Sequence, residues 1–194
     1  MPYQSWNETL VNSKIAGPNL TASTTATSLL NVQDKLNMYA GFWYVGRAIR
    51  IRATGQLGNI VTTPGTLTID VRMGPTSNIV VFNGAAMQLS STAHTTLPFF
   101  LEILMTCRAV GTGTSSNLMG QGYMIAQSLS LTAVADSTTT PATLLLPNTT
   151  PAVGTGFDYS VSMIMDLFGT FSLSNANAIQ VQQFMAEDVG RPTV

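Results

Sequence analysis

Three stretches of strict two-residue alternation constrain this chain more than anything else in it. In 66–73, Leu67, Ile69, Val71 and Met73 share one parity and Thr66, Thr68, Asp70 and Arg72 the other. In 100–109 the apolar parity holds Leu101, Ile103, Met105, Cys107 and Ala109, against Glu102, Thr106 and Arg108, with Leu104 the exception. In 157–168, Phe157, Tyr159, Val161, Met163, Met165 and Leu167 alternate with Asp158, Ser160, Ser162, Ile164, Asp166 and Phe168. Successive side chains of a strand point to opposite faces, so these patterns read as strands with one face buried. A slip of one residue would expose each apolar set, which pins the register.

Weaker alternation at 24–32, 45–54, 79–89, 120–134 and 177–186 brings the expected total to about eight strands, linked by turns such as Gly74-Pro75 and Gly111-Thr112-Gly113-Thr114. Helical periodicity hardly appears. The fold class expected is all-β, an antiparallel β-sandwich or jelly roll, which closes many short strands without long bare edges. Residues 1–20 lack alternation and read as an extended N-terminal arm, with Trp6 as an anchor against its own or a neighbouring subunit. Residues 21–194 read as a single sandwich domain, interrupted by a Pro/Thr-rich irregular excursion at 136–156 whose Leu144, Leu145 and Leu146 must pack on something. A domain of this length buries roughly 70% of its unfolded surface, so its core needs no disulfide.

The polarity of the chain comes from an unusual source. Acidic and basic residues make up 9% of it, where soluble domains carry about 25%. Ser, Thr, Asn, Gln and Gly replace them, and such a surface has little charge repulsion to keep copies apart. That composition fits a protein covered by neighbours. Net charge is −1 and the lysines are Lys14 and Lys35, which argues against coating a nucleic acid. No apolar run is long enough for a membrane-spanning helix, and the N-terminus does not read as a secretory signal. No membrane or nucleic-acid partner is expected.

Chemistry is sparse. His94 is the single histidine and Cys107 the single cysteine, too few for a zinc site or an intrachain disulfide. Cys107 lies on an apolar parity and reads as core; His94 reads as a loop residue. Asp158 and Asp166 would stand about 26 Å apart on one extended strand, too far for a glycosidase pair, and both read as surface acids. The run 111–116 lacks the endings of a P-loop or dinucleotide fingerprint and reads as a hairpin tip. The expectation is a non-enzyme without cofactor or metal.

Against that background, Arg47, Arg50 and Arg52 crowd six positions. Arg50, Arg52 and Thr54 share one parity; Ile49, Ile51 and Ala53 share the other, with Arg47 at the strand entrance on the Ile side. If this strand pairs with 66–73 as a hairpin, Asp70 and Arg72 share a face with Arg50 and Arg52. Further acids are then needed, from Glu102, Asp158 or Asp166, or from another chain. An anion site would bring Lys, aromatics or a glycine-rich nest with it. The planar guanidinium suits partly buried ion pairs between subunits, so Trp6, Arg47, Arg50, Arg52, Asp70 and Arg72 are the candidate contact residues.

The succession Phe42–Leu57 ("FWYVGRAIRIRATGQL"), Pro64–Gly74 ("PGTLTIDVRMG") and Phe99–Gly122 ("FFLEILMTCRAVGTGTSSNLMGQG") resembles small virion structural proteins of tailed bacteriophages. The likeness rests on Gly46, Arg47, Arg50 and Arg52, on Pro64, Gly65, Thr66, Leu67, Arg72 and Gly74, and on Arg108, Gly111, Gly120 and Gly122, over about 42–125. It implies a β-sandwich or jelly-roll protein that often trimerises and carries no catalytic residues. The resulting expectation is a capsid decoration (cement) protein. It would be made in the bacterial cytoplasm, sit on the outside of the head as a homotrimer, and bind the major capsid protein. The alternative is a fibre-head or tail component that binds a host receptor or glycan, with Trp43, Tyr44 and Tyr123 as candidate aromatics.

Overall fold

The computed structural model describes residues 7–60, 63–130 and 141–189. Among them the chain forms twelve strands and one 3-10 turn at Val32–Asp34. The strands are β1 (Glu8–Asn12), β2 (Leu20–Thr21), β3 (Thr27–Ser28), β4 (Leu36–Met38), β5 (Ala48–Asn59), β6 (Thr66–Met73), β7 (Ile79–Gln88), β8 (His94–Ala109), β9 (Asn117–Ala126), β10 (Ala142–Leu146), β11 (Met163–Phe171) and β12 (Ala178–Asp188). They pair antiparallel in two sheets. The larger runs β1-β12-β5-β8-β9-β10, with β2 also on β12; the smaller runs β3-β11-β6-β7, with β4 also on β11. The fold is an all-β antiparallel sandwich, with twelve strands where alternation pointed to eight. The additional strands are short edge pieces, too brief for a two-residue period to register.

The core lies between the sheets. Ile49, Ile51, Ala53 and Leu57 of β5, Leu67, Ile69, Val71 and Met73 of β6, and Leu101, Ile103, Met105 and Cys107 of β8 are all buried, as their parities require. Trp43, Phe157, Phe171 and Phe184 are its largest fully buried side chains. Each Leu, Ile or Phe removed from water in this way contributes about 1.5–3 kcal/mol.

Several expectations change. β5 and β6 do not form a hairpin: β5 lies in the larger sheet between β12 and β8, and β6 in the smaller between β11 and β7. Asp70 and Arg72 therefore stand on the other sheet from Arg50 and Arg52. Part of the segment read as an arm is sheet: β1 pairs with β12, Gly17 N–H donates to Val181 O at 2.7 Å, and Leu20 is buried. Trp6 lies outside the described residues. Part of the excursion is also sheet, since 142–146 forms β10 on β9 with Leu144 and Leu146 buried. Its continuation covers the free edge of β7, where Asn148 N–H donates to Gly84 O and Thr155 N–H to Val80 O.

Asp166 is not a surface acid. It is 1% exposed, with Lys35 Nζ 2.6 Å from Oδ2 and Ser28 Oγ donating to Oδ1 at 2.9 Å. Asp158 is not on an extended strand. Its carboxylate caps a turn by accepting from Ser160 N–H at 2.9 Å and Ser160 Oγ at 2.6 Å, and these bonds hold it below its ordinary pKa.

Candidate functional site

The sheet registers place the arginines. In β5 the parity opposite Ile49, Ile51 and Ala53 carries Arg50, Arg52, Thr54 and Gln56 to the outer face of the larger sheet. Directly opposed residues of antiparallel strands share a face, so the outer face can be read across in rows. One row is Glu187–Arg50–Leu104–Gln121; the next is Met185–Arg52–Glu102–Tyr123–Leu145; the third is Gln183–Thr54–Phe100–Ile125–Thr143.

Around Arg50 and Arg52 the charge cancels, while Arg108, further along the outward parity of β8, is exposed. Arg52 Nε donates to Glu102 Oε2 at 2.8 Å, and Arg52 Nη1 and Arg50 Nη1 each stand 3.9 Å from Glu187 Oε2. The bond that Arg52 donates to Glu102 raises the Arg52 pKa above its ordinary value. Two guanidinium groups therefore face two carboxylates. Solvent-screened pairs of this kind add little to stability. Their stronger effect is on what the face can bind, since an anion finds no unmatched cation among them.

Beside the ion pairs lies an apolar half. Leu104 is 43% exposed and Leu145 72%. Between them come Tyr123 and Ile125, both half-buried, and the Phe100 ring stands 6.0 Å from that of Tyr123 at 31°. A shallow cleft of about 380 Å³ opens on the β12 side of Phe100, between Asn12, Ser13, Arg52, Thr54 and Gln183.

Arg47 has a different place. It points inward on the Ile parity and is 9% exposed. Its Nη2 donates to Asp188 Oδ2 at 2.6 Å, its Nη1 donates to the Phe42 carbonyl, and its Cζ lies 3.5 Å from the centre of the Phe42 ring. Arg72 Nη2 donates to Asp70 Oδ2 of its own strand at 3.0 Å and lies over Phe168. Burial pushes Asp70 above the ordinary carboxylate value, and the Arg72 bond offsets part of that rise. Of the six sequence-derived contact residues, Arg50 and Arg52 meet on one face; Arg47 ties the core to the last strand; Asp70 and Arg72 pair on the other sheet.

Of the acids offered as partners, Glu102 takes Arg52, while Asp166 takes Lys35. Glu187 was missed because it follows the alternating stretch 177–186. Of the three candidate aromatics, Trp43 is 1% exposed and the Tyr44 hydroxyl is buried, which leaves Tyr123 on the outer face. Leu104 was the available signal for the apolar half, as an apolar residue between Glu102 and Thr106 on the polar parity of its strand. His94 opens β8 opposite Asn59. Cys107 is fully buried, and desolvation pushes its thiol up to about 11.

The class defined by these features is an antiparallel β-sandwich whose larger sheet has a partly apolar outer face beside paired charges. No protein-family model matches the chain, and no curated protein matches its sequence. Among solved structures it is similar to the CBM2 module of the evolved Dit of Lactobacillus casei BL23 phage J-1, at 8% identity and a TM-score of 0.36, over 99% of this chain and 100% of that one. A likeness at that level says nothing about what this chain binds.

Proposed function

We propose that this chain is a non-enzymatic structural protein of a tailed-phage virion, acting as a decoration protein that binds major capsid proteins at the outer surface of the head. The observation that carries this reading is the apolar half of the outer face. Leu104, Tyr123, Ile125 and Leu145 lie side by side on three adjacent strands, next to the paired charges of Arg50, Arg52, Glu102 and Glu187. An exposed apolar patch rimmed by polar groups is characteristic of protein contact. The resemblance over about 42–125 supports the same reading. So does a charge-poor surface, which offers little resistance to neighbours.

The proposed mechanism is burial of this half-face against the capsid by a homotrimer, each contact weak and made effective by repetition. Co-sedimentation with shells lacking the protein, after the mass is measured by light scattering, tests it. A three-chain mass and binding at fixed stoichiometry are expected. Leu145→Lys, at a site 72% exposed, is expected to leave the melting temperature within about 2 °C, because surface changes fall within ~0.5 kcal/mol. It is also expected to weaken sedimentation with shells by about tenfold or more. A chain that ignores the shells sinks the decoration reading. The second reading is then a fibre or tail component, favoured by Tyr123 and Phe100 standing together on an open face.

A further inference from the structure

The β12 side of the outer face differs from the half assigned to protein contact. β12 and β10 are four strand spacings, roughly 19 Å, apart in the sheet. On the β12 side the cleft of about 380 Å³ is lined by Phe100, Phe184 and Met185 and by the hydrogen-bonding residues Asn12, Ser13, Arg52, Thr54 and Gln183. These come from four different stretches of chain, and the pairing of β12, β5 and β8 makes them converge.

Thr54, Gln183, Ser13 and Arg52 are each held by a bond that leaves capacity over. Thr54 Oγ1 donates to Gln183 Oε1 at 3.1 Å, which leaves the amide NH2 to donate elsewhere. Ser13 Oγ accepts from Phe184 N–H at 2.8 Å and retains its own O–H. Arg52 uses Nε on Glu102, and its terminal nitrogens make no closer ion pair than 3.9 Å. Glu187 Oε2 is buried and accepts no hydrogen bond from a described group. The set therefore contains donors, acceptors and an aromatic wall, with its formal charges matched.

We propose that this cleft binds a neutral saccharide, whose C–H face packs on Phe100 and whose hydroxyls bond Gln183, Asn12, Ser13 and the Arg52 guanidinium. A hydroxyl both donates and accepts, which suits mixed groups. An anion is disfavoured because the Arg52 charge is matched by Glu102 and Glu187, and a purely apolar ligand would strand the amides and hydroxyls. The assignment does not depend on where on a virion the chain sits.

The test applies the full-length protein to an array of uncharged oligosaccharides of glucose, galactose, rhamnose and N-acetylhexosamines, printed beside sialylated, sulfated and phosphorylated ones. Uncharged oligosaccharides are expected to be retained. Phe100→Ala and Gln183→Ala should each weaken that retention by about tenfold or more, while Leu145→Lys leaves it unchanged. Gln183 is exposed, so its variant keeps the test sound if Phe100→Ala folds poorly. Three results would overturn the proposal: no uncharged ligand retained, preference for the anionic set, or Gln183→Ala binding as well as the parent. Shell attachment is a separate readout. Gln183→Ala should sediment with shells as the parent does, so failure of the cleft and failure of the decoration reading are distinguishable.

Discussion

Arg47, immediately before β5, and Arg52 within it are five positions apart, yet their environments assign them opposite energetic roles. Arg47 is buried with Asp188, the Phe42 carbonyl and the Phe42 ring around it. Removing one partner of a buried pair leaves a charge short of compensation and costs about 3–5 kcal/mol. Arg47→Met, which keeps most of the volume, is therefore expected to lower unfolding free energy in urea by about 3 kcal/mol. Arg52→Met, on the outer face, should lower it far less, because a solvent-screened pair contributes little. Similar losses in the two variants would mean that the Arg47 pair is not what anchors the end of β12.

Asp70 gives a pH signature of its own. Its folded pKa is raised, chiefly by burial, above the ordinary value of 3.8. Between those two values the native state holds the proton more tightly than the unfolded chain. Stability from this group is thus greatest below the unfolded value and declines as pH rises through the folded one. Measured in urea from about pH 3 to about pH 7, the wild type should lose stability relative to Asp70→Asn as pH rises through that window. A constant difference would show that burial does not set the titration of Asp70.

At the scale of the element, the strap that follows β10 shows what alternation alone hides. Residues 147–156 read as irregular because they have no two-residue period, yet they hydrogen-bond along the edge of β7 and shield it. Gly154 is where this strap passes closest. A Cβ there would overlap the Val81 carbonyl and its Cα, atoms of a paired strand that cannot step aside. Gly154→Ala is expected to cost about 2–3 kcal/mol, the upper range for overpacking. Val153→Ala next to it, at a side chain 52% exposed, should stay within ~0.5 kcal/mol. Thermal unfolding of the pair checks this. Equal, small effects would mean that the strap is not seated on β7.

Long alternating strands were legible residue by residue because each parity carries its own burial signal. β5, β6 and β8 sit as their patterns require, and even the inward side of Arg47 was given by its parity. Partners were legible only when chemistry narrowed them, as with Glu102 for Arg52. Glu187 comes from the far end of the chain, and nothing local encodes that β12 inserts beside β5. Asp166 was misjudged for a related reason. Its parity is polar, but Lys35 and Ser28 arrive from remote segments to bury and satisfy it. The cleft was invisible for the same cause, since its walls come from four separated stretches.

For the whole molecule, the N-terminal segment decides how attachment can be tested. Read as an arm, residues 1–20 would be removable without harm to the sandwich. The fold gives part of that segment a structural task. β1 closes the β12 edge of the larger sheet, Gly17 bonds Val181, and Leu20 is buried at 5% exposure. Deleting 1–20 would leave the β12 edge bare and open a cavity at Leu20, a loss of about 2–5 kcal/mol from that side chain alone. Deleting 1–6 removes none of these described contacts. The expected outcome is a melting temperature near the parent's for the shorter deletion, and a drop of at least about 5 °C for the longer one. Shell co-sedimentation of the shorter deletion then reports on attachment without a folding defect. If it binds shells as the parent does, Trp6 has no part in attachment, and the apolar half-face around Leu145 carries the contact. If it folds normally and fails to bind, the contact extends from that face to the N-terminal residues, Trp6 among them.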